Sequence, residues 1–425
     1  MDWTHCTNSS RRGLAVAVTL TLTLTACGDS DSGTESTNAS TQATTDTSAS
    51  STQSGDPTTD GATDGTTAGP VTTSASTSMT TTTDPATTDA SMTMAVTTDP
   101  ATTTDDPTTG GGNQGCLQDG HYFPDGSIWY ENHKDAAVHP DSSAIISWLE
   151  DAGWGAGDEF RIDFSIEVLD ADANTPKLDF METGDFYSPD CDHVPMPIPA
   201  GGAIEGEDGY ECQNDGDCHL IVRDSDSCVL YEMWRANYDG NTFYGGCLAL
   251  WFMDQVYGDT GRGDGCTSAD AAGFPIAPLL FSADEVAAGE IDHAIRFILP
   301  NANIRHLVYV PPCTHSTFPT GGGDDAPPYG VHLRLRPDYD LNALPNEGAK
   351  VVARALQEYG MFLADGGQIA LTAQSDRFTT NKWADNLGPF DLVGIRPADF
   401  EVIDHGGYKT WDGDLCTRDP ITQLP

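Results

Sequence analysis

The chain has 425 residues, with 65 Asp and Glu against 19 Lys and Arg and a formal net charge of −46. A surface that acidic repels DNA, RNA and anionic lipid headgroups, which argues against nucleic acid as a partner. No segment beyond residue 27 has the roughly 18 consecutive apolar residues that a spanning helix needs.

Arg11 and Arg12 precede an apolar, Thr-rich run, 13–25, of signal-peptide length and too short to cross a bilayer as a helix. It ends in Leu24-Thr25-Ala26-Cys27, which resembles a bacterial lipobox. The resemblance implies cleavage before Cys27 and acylation of its thiol. Residues 1–27 are then a lipoprotein signal, and the membrane is a partner through the lipid anchor only. Acyl methylenes bury at about 0.8 kcal/mol each, enough to hold a chain without a spanning helix. The expected location is the bacterial cell envelope, with the domain outside the cytoplasm.

Residues 28–115 are Thr, Ser, Ala, Asp, Gly and Pro in the main, with 12 acidic residues and no Lys, Arg or aromatic residue. Such a chain cannot bury enough apolar surface to offset the entropy of ordering it, and its like charges extend it. It reads as a disordered stalk. Of the formal −46, the first 27 residues carry +1 and the stalk −12, leaving −35 on residues 116–425. That acidity suits bound calcium. However, Asp170-Ala171-Asp172-Ala173-Asn174 starts like a calcium loop and has Thr175 where an EF-hand needs Gly.

The globular part reads as one mainly β domain, sandwich-like or jelly-roll-like, with a few helices. A short helix over 142–151, capped by Asp141 or Ser142, places Trp148 on its buried side. Period-two alternation marks strands over 160–168, 217–223 and 331–336, each with one apolar and one polar face. Residues 229–235 and 246–253 read as a strand pair turned by Asp239-Gly240. Ser282-Ala283-Asp284-Glu285 matches a capping box. The stripe Val352, Ala355, Leu356, Tyr359, Leu363 predicts a helix over 347–365, stopped by Gly366-Gly367. Strands over 304–310 and 368–373 complete the set.

Nine cysteines fall in the domain, and an exported protein meets an oxidising compartment, so most should pair. Cys212 and Cys218 enclose a short loop and suit a local bridge. The odd count leaves one thiol free or paired elsewhere. No pair of CxxC knuckles occurs, so no metal site is assigned from the sequence.

Arg223, Arg296 and Arg334 sit on polar strand phases among carboxylates. Arg forks there suit a cleft gripping a polar or anionic polysaccharide; a solvated sheet face with cross-strand ion pairs is the plainer alternative. The segment 289–297 carries Glu290, Asp292 and Arg296 on one phase and His293 on the other. Its Glu-Ile-Asp start resembles the catalytic strand of laminarinase-type glycoside hydrolases, but Ile295 stands where that pattern has its second Glu. A buried His293 would have a lowered pKa and could act as a base, or be a satisfied core histidine. Asp270, in a small-residue turn, suits an acid/base or a turn cap, and His315 lies in a hydroxyl-rich loop suited to a site. Hydrolysis would use Asp270 and Glu290. Lyase chemistry would use His219 or His293 with Arg223 or Arg296. A non-catalytic glycan- or surface-binding module, stacking sugars on Trp129, Tyr130, Trp154, Tyr187, Trp383 or Trp411, is the alternative, and a purely structural envelope lipoprotein a third.

The stretches 217–222, 230–232, 267–273, 289–297, 327–335 and 355–367 together resemble an uncharacterised family of secreted bacterial and fungal proteins. The resemblance covers about 180 residues and brings no activity with it. Where that family has Trp-Thr-Ser and Ala-Thr-His, this chain has Cys266 and Cys313. The departure implies a Cys266–Cys313 bridge that would bring Asp270 and His315 together. The stalk and lipobox are similar to those of myxobacterial lipoproteins.

Overall fold

The computed structural model describes Cys116 and residues 120–213, 216–413 and 416–425, all within one compact unit. Cys27 and the Thr/Ser stalk lie outside the described residues. The domain is mainly β, with 17 strands and three α-helices among the described residues. Ten strands position the site: β1 (Ile162–Ile166), β2 (Val168–Ala171), β3 (Leu220–Asp224), β4 (Val229–Trp234), β5 (Cys247–Phe252), β6 (Ile295–Leu299), β7 (His332–Leu335), β8 (Met361–Gly366), β9 (Leu371–Gln374) and β10 (Phe400–Val402). The helices are α1 (Ser142–Ala152), α2 (Ala283–Ala288) and α3 (Glu347–Glu358).

One sheet runs β1-β9-β6-β8-β7-β10, the other β5-β4-β3-β2. The pairs β1–β9, β6–β8 and β2–β3 are parallel. An antiparallel jelly-roll has no such pairs. The β4–β5 pair is the one expected from the sequence, in register from Trp234↔Cys247 to Val229↔Phe252. The Asp239-Gly240 turn belongs instead to a small hairpin, Asn237–Tyr238 with Phe243–Gly245, inserted between them.

The second sheet is apolar on both faces. Ile221, Leu230 and Ala249 belong to the main core, whereas Leu220, Val222, Tyr231 and Leu248 belong to a second apolar cluster on the other side. The alternation expected in 217–223 therefore fails, with His219 buried as well, and that in 331–336, in the first sheet, fails too, with His332 and Arg334 buried. Their burial is tolerated because each finds hydrogen-bond partners.

Helix α3 starts where expected, with the Asn346 side chain accepting from Ala349 N at 2.8 Å. Val351, Val352, Ala355 and Leu356 are buried along its stripe, and Leu356→Ala should cost about 2–5 kcal/mol. It ends earlier than the periodicity predicted. Gly360 takes φ +73, and a Cβ there would lie 2.7 Å from Leu333 O. The following run, Met361 to Ala364, is a continuous apolar stretch that forms the buried strand β8. In α1, Ile145 and Leu149 are buried while Trp148 is only half-buried, and Asp141 makes no side-chain cap. The Ser282–Glu285 capping box of α2 is complete.

Four disulfides join Cys116–Cys228, Cys191–Cys247, Cys212–Cys218 and Cys266–Cys416, and Cys313 is free and buried. The local Cys212–Cys218 bridge is as expected. The Cys266–Cys313 bridge is not formed. The two loops are nevertheless held together, by Thr314 Oγ1 donating to Cys266 O at 2.7 Å and Thr314 N to Ala272 O at 3.1 Å. Gly273 allows that approach: at φ +77, a Cβ would lie 2.1 Å from Thr314 Oγ1. The small residues of this turn thus admit a neighbouring loop.

Candidate functional site: a carboxylate cleft at the strand ends

Two adjoining cavities, of about 490 and 260 Å³, share Asp217, Asp365 and Gly366 in their walls. Together they form a cleft of the size usual for ligand sites. Asp365 is near the end of β8, where the apolar run gives way to Gly366 and Gly367. Arg296 reaches in from β6, Thr372 from β9 and Asp163 from β1.

The centre is two carboxylates on one guanidinium. Arg296 Nε and Nη2 donate to Asp270 Oδ2 and Oδ1 at 2.8 and 2.9 Å. Its Nη1 donates to Thr372 Oγ1 at 2.8 Å, and Nη2 lies 3.5 Å from Asp365 Oδ2. Asp270 is fully buried on the bidentate side; the Asp365 side chain is 25% exposed. Burial and the neighbouring Asp270 charge push the Asp365 carboxyl well above its usual range. Arg296 has its proton held more tightly than usual: burial opposes its charge, and Asp270 overcomes that.

A second ion pair lines the larger cavity. His219 Nδ1 lies 2.6 Å from Glu205 Oε2 and Nε2 lies 3.1 Å from Ala269 O. Both partners are acceptors, so both ring nitrogens donate. Burial works against the imidazolium, but Glu205 raises its pKa to about 9. Asp163 accepts from Ser165 N at 3.0 Å, and burial raises its carboxyl above the usual range. In the smaller cavity His315 donates from Nδ1 to Ala271 O at 2.7 Å; burial lowers its pKa to about 4, leaving it neutral.

The structure brings together Asp270, Arg296, His219 and His315 of the residues expected from sequence, in roles that differ from those expected. Asp270 neither caps a turn nor meets solvent; its carboxylate is spent on Arg296. His219 carries both protons and cannot serve as a base. Glu290, His293 and Arg223 line a different cavity. There Glu290 is exposed, and Arg223 is bound to Asp170 at 2.6 Å. His293 meets Glu285 at 3.0 Å and Ala294 O at 2.8 Å, so its pKa is raised, burial notwithstanding, and not lowered as expected. Arg334 is buried against Glu401 at 2.6 Å and the His133 carbonyl, a structural pairing outside the cleft.

Asp365, Asp163 and Glu205 were not singled out as site residues by sequence reasoning. The signal for Asp365 is an apolar run broken by Asp-Gly-Gly, which marks a buried strand ending in a carboxylate as well as it marks a helix end. Among the described residues, the two clusters with metal-ligand spacing each contain two disulfide-bonded cysteines, which leaves them short of ligands. At the calcium-like segment, Asp170 pairs with Arg223, and Asp172 accepts from Asn174 N at 2.9 Å in a closed turn. No family model, curated protein or solved structure matches the chain.

Proposed function

We propose that this domain is a carbohydrate-active hydrolase, tethered outside the cell through Cys27 and the stalk, on a sandwich-like scaffold whose sheets frame the cleft. The carrying observation is the pair of carboxyl groups on Arg296, Asp270 buried in a bidentate ion pair and Asp365 on the cleft wall with its proton affinity raised by burial and by Asp270. Glycoside hydrolysis needs a carboxylic acid to protonate the leaving oxygen and a carboxylate to assist water or attack the sugar. Asp365 is the acid and Asp163 the carboxylate. Asp365 donates its proton to the glycosidic oxygen as the bond to the anomeric carbon breaks. Water supplies the new hydroxyl there and its proton leaves through Asp163; solvent then returns a proton to Asp365.

Hydrolysis is favoured over elimination by the state of the two histidines expected as lyase bases. A lyase base must accept a proton, and both His219 and His293 already hold two. A purely binding module is less well supported. Of its six aromatic candidates, Trp129, Trp154 and Trp383 are in the core, Tyr130 and Trp411 are half-buried, and Tyr187 is exposed.

The test is reducing-end release from a polysaccharide panel by the full chain and by Asp365→Asn. Loss of about 10²–10⁴-fold in turnover with KM little changed supports the assignment. Full activity in the variant would remove Asp365 as the acid.

A further inference from the structure

The charge balance of the cleft points to its substrate class, an inference that rests on the hydrolase reading. The cleft has two cations, and both are buried and already paired. Arg296 gives Nε and Nη2 to Asp270 and Nη1 to Thr372, and with its side chain 4% exposed its remaining N–H stays out of a substrate's reach. His219 spends one N–H on Glu205 and the other on a backbone carbonyl. A substrate carboxylate or sulfate would find only buried cations, each already paired with a carboxylate, on these walls, which reverses the expectation that arginines grip an anionic polymer. Among the described residues, Asp163 and Asp217 remain as acidic groups without a salt-bridge partner on the walls; Asp217 accepts the neutral indole N–H of Trp234.

Asp217 lies where the two cavities meet, beside Asp365. The smaller cavity carries an aromatic shelf on that side. Tyr187 is 39% and Phe318 70% exposed. The Tyr187 and Trp234 rings stand 6.1 Å apart at 52°. Aromatic faces stack on the apolar faces of sugar rings and attract cations through their quadrupole.

We infer that the cleft takes a polymer of amino sugars with free ammonium groups, one ring against Asp163 and Asp217 and the next on the Tyr187–Trp234–Phe318 shelf. The chain is cut at Asp365, between these two positions.

The experiment compares glucosamine oligomers, their N-acetylated counterparts and uronate oligomers of equal length, at one pH and ionic strength, using the full chain. Reducing ends report cleavage, and calorimetric binding to Asp365→Asn reports affinity. We expect at least 10-fold higher kcat/KM on glucosamine oligomers than on either other class. Asp217→Asn should shrink that preference at least 3-fold without abolishing turnover, and added salt should shrink it also. Faster cleavage of the acetylated or uronate oligomers would overturn the substrate class and leave the hydrolase reading standing. Tight binding of glucosamine oligomers without cleavage by the unsubstituted chain would overturn the hydrolase reading and keep the charge preference. Neither binding nor cleavage of glucosamine oligomers would overturn the inference outright.

Discussion

Two histidine–carboxylate pairs in this domain have nearly the same chemistry and different surroundings. His219 sits on Glu205 at 2.6 Å and His293 on Glu285 at 3.0 Å, and each ring gives its other N–H to a backbone carbonyl. Glu285 is already committed to α2, accepting from Ser282 N at 2.7 Å and Ser282 Oγ at 2.6 Å as half of a capping box. His293 therefore locks a helix start to the strand that follows it. Glu205 accepts from the His219 backbone N at 3.2 Å on the oxygen that meets the ring, while its other oxygen accepts from Ser165 Oγ at 3.3 Å and the group faces the cleft that holds Asp365. The local pair is the same; what it can influence is set by what the second acid oxygen meets.

Four measurements separate the two pairs and the groups around them. The largest effect is expected at Asp270, where substitution by Ala leaves Arg296 buried without its main partner. Chemical denaturation should show a loss of about 3–5 kcal/mol, against no more than about 1 kcal/mol for the exposed Glu290→Ala. Next, His219→Ala should lower turnover by about 10-fold or more through the Glu205 carboxylate, while His293→Ala should leave turnover unchanged and lower stability by about 1–3 kcal/mol. Equal effects of the two on turnover would erase the distinction between the pairs.

The third measurement is a pH–rate profile. With Asp365 as the proposed acid, activity should fall as pH rises through a pKa displaced well above the carboxylate range. In Asp270→Asn, the charge that holds the proton on Asp365 is gone, and the alkaline limb should move to lower pH. The smallest effect is on stability against pH. His219 has a folded pKa of about 9, above the value near 6.5 of an unperturbed imidazole. Its contribution is full below about 6.5 and is lost as pH rises through about 9. His219→Gln should flatten that part of the curve, measured by thermal melting at fixed ionic strength.

Parts of this molecule were legible from local pattern alone. The capping box of α2, the start of α3, the β4–β5 pair and the Cys212–Cys218 bridge each depend on residues close in sequence or on a strong apolar run. Other features were not legible for a physical reason. Whether 361–366 is the end of a helix or a strand turns on the left-handed Gly360 against Leu333, a contact between segments distant in space until folding. The polar phases of 217–223 and 331–336 looked like solvent faces because alternation cannot report what covers the second face.

The site shows the same division. Composition and local pattern were enough for an acidic, cysteine-rich, mainly β domain after a Thr/Ser-rich segment, together with the residue types for acid–base chemistry. Folding alone set Asp270 against Arg296, gave His219 and His293 an acceptor at each ring nitrogen, and put Asp365 on the cleft wall with its proton affinity raised. Proton affinity is set by burial and by charges a few ångströms away, and those neighbours come from Asp270, Arg296 and Asp365, residues that lie 26 and 69 positions apart along the chain.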